Sequence, residues 1–218
     1  MDTPLELKCP ECGVRACCAE PGTKNHPSFC PMPDQSEVLE EVKHLYLEKE
    51  DLRALACGSA RTEADGYCER TRVEEIIDFA RRLNVEKIGI AHCAGLMREA
   101  KLASDIFKAA GFEISAVCCK VGSIPKEEMG IKDEEKVSPG QYEALCNPIG
   151  QATMLANAGT QLNVVIGLCV GHDSLFFMHS KAPATVLVAK DRVTGHNPVA
   201  ALYTSHSYYS RLTQKRDD

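Results

Sequence analysis

Residues 163–173 read N-V-V-I-G-L-C-V-G-H-D, and the fold class turns on them. Val164, Val165 and Ile166 make the continuous apolar run expected of a strand buried on both faces. Gly167, Cys169, Gly171 and His172 follow where such a strand turns into a helix. A thiol and an imidazole at the carboxyl end of a buried parallel strand stand where open α/β sheets carry their chemistry.

Similar runs lie on either side. Strands are predicted over 87–93, 112–119, 163–170 and 184–189. Between them come helical signals. Thr71-Arg-Val-Glu74 is a capping box that opens a helix with Val73, Ile76, Ile77, Ala80 and Leu83 on one side. A helix over 96–110 stops at Gly111. Asn147-Pro148 reads as N-cap and first helical residue of a helix to about residue 157, a short helix covers 174–179, and Asn197-Pro198 repeats the cap-then-proline signal before a closing helix. Strands alternating with helices imply an α/β fold, a Rossmann-like parallel sheet of four strands with right-handed crossovers, over residues 71–218. The charged run at 132–136, in the long connection before Asn147, reads as solvated surface, and the tail over 214–218 as frayed.

Residues 34–70 read as a helical lead-in. Asp34 or Ser36 caps it, and Val38, Leu39, Val42, Leu45 and Tyr46 fall on one face. A second helix follows with Leu52, Leu55, Ala56 and Ala60 in register. Cys57 beside that stripe reads as a small core residue.

Residues 1–33 carry Cys9-Pro-Glu-Cys12-Gly13, Cys17-Cys18 and Cys30-Pro31 among very few apolar side chains. Such a segment cannot fold on a core of its own. Metal binding supplies the missing free energy, about 10–16 kcal/mol in small zinc modules. Cys9, Cys12, Cys30 and either Cys17 or Cys18 make a four-thiolate knuckle, and soft sulfur ligands select zinc or an iron–sulfur cluster. The CPxCG turn is similar to zinc ribbons, and Cys30-Pro31 to ferredoxin-type loops.

The chain has 218 residues, of which 44% are hydrophobic, enough for one α/β domain and a small module. Its net charge of −6 argues against nucleic acid as a partner. No apolar run is long enough to span a membrane. Residues 1–8 show no basic region followed by an apolar core, so a cytoplasmic location is expected. Twelve cysteines in such a chain point to metal or thiol chemistry rather than a disulfide framework.

Cys93 ends strand one, Cys118 and Cys119 end strand two, Cys169 ends strand three, and Cys146 precedes the Asn147 helix. Parallel polarity sends all of them to one edge. Adjacent strand residues face opposite sides, so Cys119, nearer the loop, is the expected member of its pair. Cys93, Cys119, Cys146 and Cys169 are thus a candidate second cofactor site for an iron–sulfur cluster or zinc. His92, His172, His196, Lys190, Asp191 and Arg192 lie at the same edge. An alternative makes Cys169 a nucleophile with His172 or His196, since Gly167-Leu-Cys169-Val-Gly171 is a GxCxG elbow. That elbow resembles the one in class I glutamine amidotransferases, without the His-x-Glu of that family. A third reading is a module holding a small anion at the Asn147 or Asn197 helix start.

Over nearly its whole length the sequence resembles an uncharacterised family of cysteine-rich metal-binding proteins found largely in anaerobic bacteria and archaea. The matching strings are Cys9-x-x-Cys12-Gly13 with Cys17 and Cys30-Pro31, Thr71-Arg-Val-Glu-Glu-Ile76, Cys119-Lys-Val-Gly-Ser-Ile-Pro125, Cys146-Asn-Pro148, Gly167-Leu-Cys-Val-Gly-His-Asp-Ser-Leu-Phe176 and Lys190-Asp-Arg-Val193 with His196-Asn-Pro198. The resemblance implies metal binding at the N-terminal cysteines and no assigned reaction. Its anaerobic distribution tilts the metal toward iron–sulfur, with a redox partner protein or a small-molecule ligand as the expected partner.

Overall fold

The computed structural model describes residues 7–215. Most of the leader reading at 1–8, and residues 216–218 of the tail expected to fray, lie outside the described residues. Among the described residues no helix is long and apolar enough to cross a membrane. The chain divides into two compact units, Met1–Arg61 and Thr62–Asp218.

In the first unit, two 3-10 turns, Cys9–Glu11 and Ala16–Cys18, precede helices α1 (Pro31–Asp34), α2 (Ser36–Glu48) and α3 (Glu50–Gly66), the last of which runs on into the second unit. Val38, Leu39, Val42, Leu45 and Tyr46 share the predicted face of α2 and stand exposed on it. Cys57 is exposed, not the core residue its spacing suggested. The buried positions near it are Gly58 and Thr62, so the inward stripe of α3 runs beside the thiol rather than through it.

The second unit holds α4 (Arg72–Arg82), β1 (Lys87–His92), α5 (Met97–Ala109), β2 (Glu113–Cys118), α6 (Pro148–Asn157), β3 (Leu162–Ile166), α7 (His172–His179), β4 (Ala184–Val188) and α8 (Val199–Tyr203). The capping box opens α4: Thr71 gives both its backbone N–H and its hydroxyl to Glu74 Oε2, at 2.8 and 2.6 Å. The four strands form one wholly parallel sheet in the order β2-β1-β3-β4. Central β3 is buried along its length and β1 beyond its first residue, as their unbroken apolar runs require, whereas the edge strands are largely half-buried. Phe107 of α5, Leu155 of α6 and Phe176 of α7 fill the core around Ile88, Ile90, Val164 and Ile166. Arg72 covers the outer edge of β4 by donating to the Val186 carbonyl and to Thr185 Oγ1.

The connection from β2 to α6 is long and ordered without regular strands. Lys126 pairs with Glu143 at 2.5 Å. Lys136, with only 4% of its side chain exposed, pairs with Asp133 at 2.9 Å and with Glu127, and donates to the Gln141 carbonyl. The charged run at 132–136 is therefore a staple and not simply solvated surface. A loop of this length cannot bury its backbone, so ion pairs and side-chain-to-backbone bonds hold it.

One buried polar group fixes the register of β1 on β3. Asn163, 1% exposed, lies opposite Gly89. It accepts from Thr160 Oγ1 and donates to Ser180 Oγ, both at 2.9 Å. A Cβ at Gly89 would stand 2.0 Å from Asn163 Oδ1. Gly89→Ala is therefore expected to lower the unfolding free energy by roughly 2–4 kcal/mol, through overpacking and a broken buried hydrogen bond. Urea unfolding followed by circular dichroism measures it, and an unchanged midpoint would show that the close approach is not what it looks like.

Candidate metal and thiol centre

At the carboxyl edge of the sheet the pairing pattern continues past the strands. Cys93 N–H donates to the Ile166 carbonyl (3.0 Å), Cys119 N–H to His92 (2.8 Å) and Gly167 N–H to Val188 (2.8 Å). Cys93 and Cys119 are buried; Cys146 and Cys169 are half-buried. Gly167, with φ +65°, begins the turn after β3, and a Cβ there would meet Leu96 at 2.7 Å. The turn therefore needs glycine both for its backbone and for its packing.

Each sulfur has partners. Cys93 Sγ accepts from Gly95 N–H at 3.4 Å and from Lys190 Nζ at 3.3 Å. Cys169 Sγ accepts from the Arg192 guanidinium at 3.2 Å. Cys119 Sγ accepts from Ala94 N–H at 3.3 Å and stands 3.8 Å from Cys146 Sγ. Cys146 arrives on the return of the stapled loop, beside Cys119 because Asn147 N–H donates to the Cys119 carbonyl at 2.7 Å. Asn147 then caps α6 by accepting from Gly150 N–H at 2.8 Å, as its sequence position predicted.

The electrostatics tie the four sulfurs into one neighbourhood. Contact with Cys119, then the positive charges of Lys120 and His172, draw the Cys146 thiol down to about 5, against the opposing effect of burial. Its neighbour moves the other way: contact with Cys146 and burial push Cys119 far above the usual thiol range. The pair thus releases one proton readily and keeps the other. Cys169 raises the Arg192 guanidinium, with smaller contributions from Cys93 and Cys146.

The histidines separate. His172 opens α7, its backbone N–H donates to the Cys169 carbonyl at 2.9 Å, and its Nδ1 is buried without a partner. His196, at φ +68°, accepts from Asp191 N–H at 3.1 Å and closes its own loop. Buried His92 donates from Nδ1 to the Cys93 carbonyl at 3.1 Å. Pro198, not Asn197, takes the N-cap position of the five-residue α8, with no side-chain cap. Two contributors escaped the sequence reading. Gln151, fully buried, donates through Nε2 to the carbonyls of His92 (3.1 Å) and Val117 (2.7 Å), and so joins the ends of β1 and β2. Lys120, next to Cys119, donates to the Ala144 carbonyl and steadies the loop return. A lone polar residue on the apolar inner face of α6 was the available signal for Gln151.

In the first unit, Cys9, Cys12, Cys17 and Cys30 line one cavity of about 260 Å³, walled also by Phe29 and Met32. Cys18 is not among the lining residues, though its sulfur is 4.0 Å from that of Cys17 and raises the Cys17 thiol. Cys12 Sγ accepts from Arg15 N–H at 3.4 Å. His26 Nδ1 lies 3.4 Å from Cys30 Sγ, a further potential donor that sequence spacing did not single out. Among the described residues, no three His, Cys, Asp or Glu side chains already stand in ion-holding geometry. The first-unit sulfurs line a space rather than close on a point.

Fold and site together define a parallel α/β protein with a thiol-lined carboxyl edge and a separate cysteine module. The family described as "Protein of unknown function (DUF1847)" matches residues 30–187, and the chain belongs to it. It is 41% identical over 208 residues to the uncharacterized protein MJ0455 of Methanocaldococcus jannaschii, a match covering 95% of this chain and 99% of that one. Among solved structures it is similar to the crystal structure of Dph2 from Pyrococcus horikoshii with a 4Fe-4S cluster, at 15% identity and a TM-score of 0.35. That likeness covers 66% of this chain and spans about a third (33%) of the Dph2 chain.

Reactivity toward iodoacetamide tests the electrostatics of the edge. In metal-free reduced protein, alkylation of Cys146 is expected to hold its plateau through neutral pH and to fall only as the pH drops through about 5, where the thiolate is protonated. Lys120→Met should move that inflection upward. Peptide mapping reads it, and an inflection at the ordinary thiol value would overturn the assignment.

Proposed function

We propose that the protein binds thiophilic metal through two cysteine sets, Cys9, Cys12, Cys17 and Cys30 in the first unit and Cys93, Cys119, Cys146 and Cys169 at the sheet edge. The observation that carries this reading is the convergence of four sequence-distant sulfurs at one rim, with N–H groups and cations directed at them. The donor chemistry fits. Backbone N–H, lysine and arginine donors stabilise thiolates, and outer partners of this kind orient ligands and tune a metal. Thiolates select zinc or iron–sulfur over calcium or magnesium. The 3.8 Å spacing of Cys119 and Cys146 also equals the separation of two sulfurs on one tetrahedral ion with bonds of about 2.3 Å. Loaded with iron–sulfur, the protein would serve redox or electron transfer with a partner protein. Loaded with zinc, its centres would be structural or storage sites.

A second reading has one specific observation behind it. A cysteine nucleophile is better served by Cys146, beside Lys120 and His172, than by Cys169, which is paired with Arg192 and has no imidazole bonded to its sulfur. The elbow at Cys169 also lacks the tight strand-to-helix turn of a hydrolase, since β3 ends at Ile166 and α7 starts at His172.

Elemental analysis of anaerobically purified full-length protein separates these readings. Iron with acid-labile sulfide, or zinc, is expected at more than one equivalent per chain. Serine substitution of Cys93, Cys119, Cys146 and Cys169 together should remove one share, and substitution of Cys9, Cys12, Cys17 and Cys30 the other. Full metal content in the first of these variants would eliminate the edge centre.

A further inference from the structure

We propose that Cys119 and Cys146 are a redox couple, which a small organic disulfide converts to an intramolecular disulfide, thereby withdrawing both sulfurs from the edge centre. The withdrawal rests on the metal reading above; the bond itself does not.

Geometry singles out this pair. The two sulfurs are 3.8 Å apart, so bonding at about 2.05 Å needs only a modest side-chain movement. Their backbones run side by side, held by the 2.7 Å bond from Asn147 N–H to the Cys119 carbonyl. A second bond of 2.7 Å, from Leu145 N–H to the Ile124 carbonyl, and the bridge between Pro125 and Ala144 brace the same return. The other two edge sulfurs are engaged by cations, Cys93 by Lys190 and Cys169 by Arg192. Access differs within the pair: Cys119 is 2% exposed, whereas Cys146 is half-buried. An incoming disulfide therefore meets Cys146 first, and Cys119 is shielded until a bond exists for it to resolve.

The exchange balances in two steps. Cys146, having given up its proton, attacks one sulfur of the small disulfide RSSR. The S–S bond breaks, a mixed disulfide Cys146–S–S–R forms, and RS⁻ leaves to take up the proton. The Cys119 sulfur then attacks the Cys146 sulfur and breaks its bond to R–S. The second RS⁻ departs and takes the Cys119 proton. Two protein thiols and one RSSR become one protein disulfide and two RSH, with two electrons passing from the pair to the small disulfide.

The test uses reduced, metal-free, full-length protein and oxidised glutathione. After incubation the free thiols are alkylated, and the digest is mapped by mass spectrometry. The expected result is a peptide linking Cys119 to Cys146, two glutathiones released per chain, and lower zinc uptake that dithiothreitol restores. Cys119→Ser should stop the reaction at a stable glutathione adduct on Cys146, while Cys118→Ser, on the opposite face of the strand, keeps the linkage. Adducts without a linked peptide, or linkage to any other cysteine, would overturn the couple. A linked peptide with unchanged zinc uptake would overturn the withdrawal alone. Failure of the protein to take up zinc or iron in either state would remove the metal reading and leave the couple standing.

Discussion

The backbone pairing of β1 governs this molecule. It is hydrogen-bonded in parallel to β2 on one side and β3 on the other, with His92 opposite both Cys118 and Ile166. The strand order reverses across β1, so the crevice beyond its carboxyl end is the topological switch point of the sheet. Every chain segment that leaves a strand leaves it there. The gathering of sulfur is thus a product of peptide hydrogen bonds rather than of any attraction between thiols. Gln151 reinforces it by tying His92 and Val117 together through one buried amide.

Thiols brought close in a half-buried place would repel one another once ionised. The structure answers with positive charge. Lys190 and Arg192, both just beyond β4, reach Cys93 and Cys169, so the segment after the edge strand supplies the counterions for sulfurs that follow the two central strands. Of the four edge sulfurs, Cys119 and Cys146 face each other, and the proton they share does the work that a cation does elsewhere.

Much of this was legible in the sequence because it depends on local, periodic signals. The unbroken runs of β1 and β3, the box at Thr71 and the cap at Asn147 each announce an element with a physical cause, and parallel polarity does the rest. What resisted reading depends on the path of irregular chain. Lys136 looked like one more solvated charge, because nothing in a run of acids and lysines says which one turns inward. Cys57 sits one helical step off the buried line of α3, and spacing alone cannot settle a displacement so small. His196 also accepts a backbone N–H within its own loop, a contact that leaves no trace in composition. That Cys17 and not Cys18 lines the cavity was likewise not legible in the spacing.

Cys93 and Cys119 directly follow paired strands and Cys169 sits in the turn after β3, but Cys146 is carried by an arm. Glu127, Asp133 and Glu143, the acids that staple that arm, are all held below the usual carboxylate range, chiefly by hydrogen bonds from Lys136 and Lys126. Their grip is complete above the ordinary carboxylate values and fades as the medium acidifies through their own lower ones. Acid therefore loosens the arm that carries Cys146, while the backbone pairing that seats Cys93 and Cys119 has no carboxylate to lose.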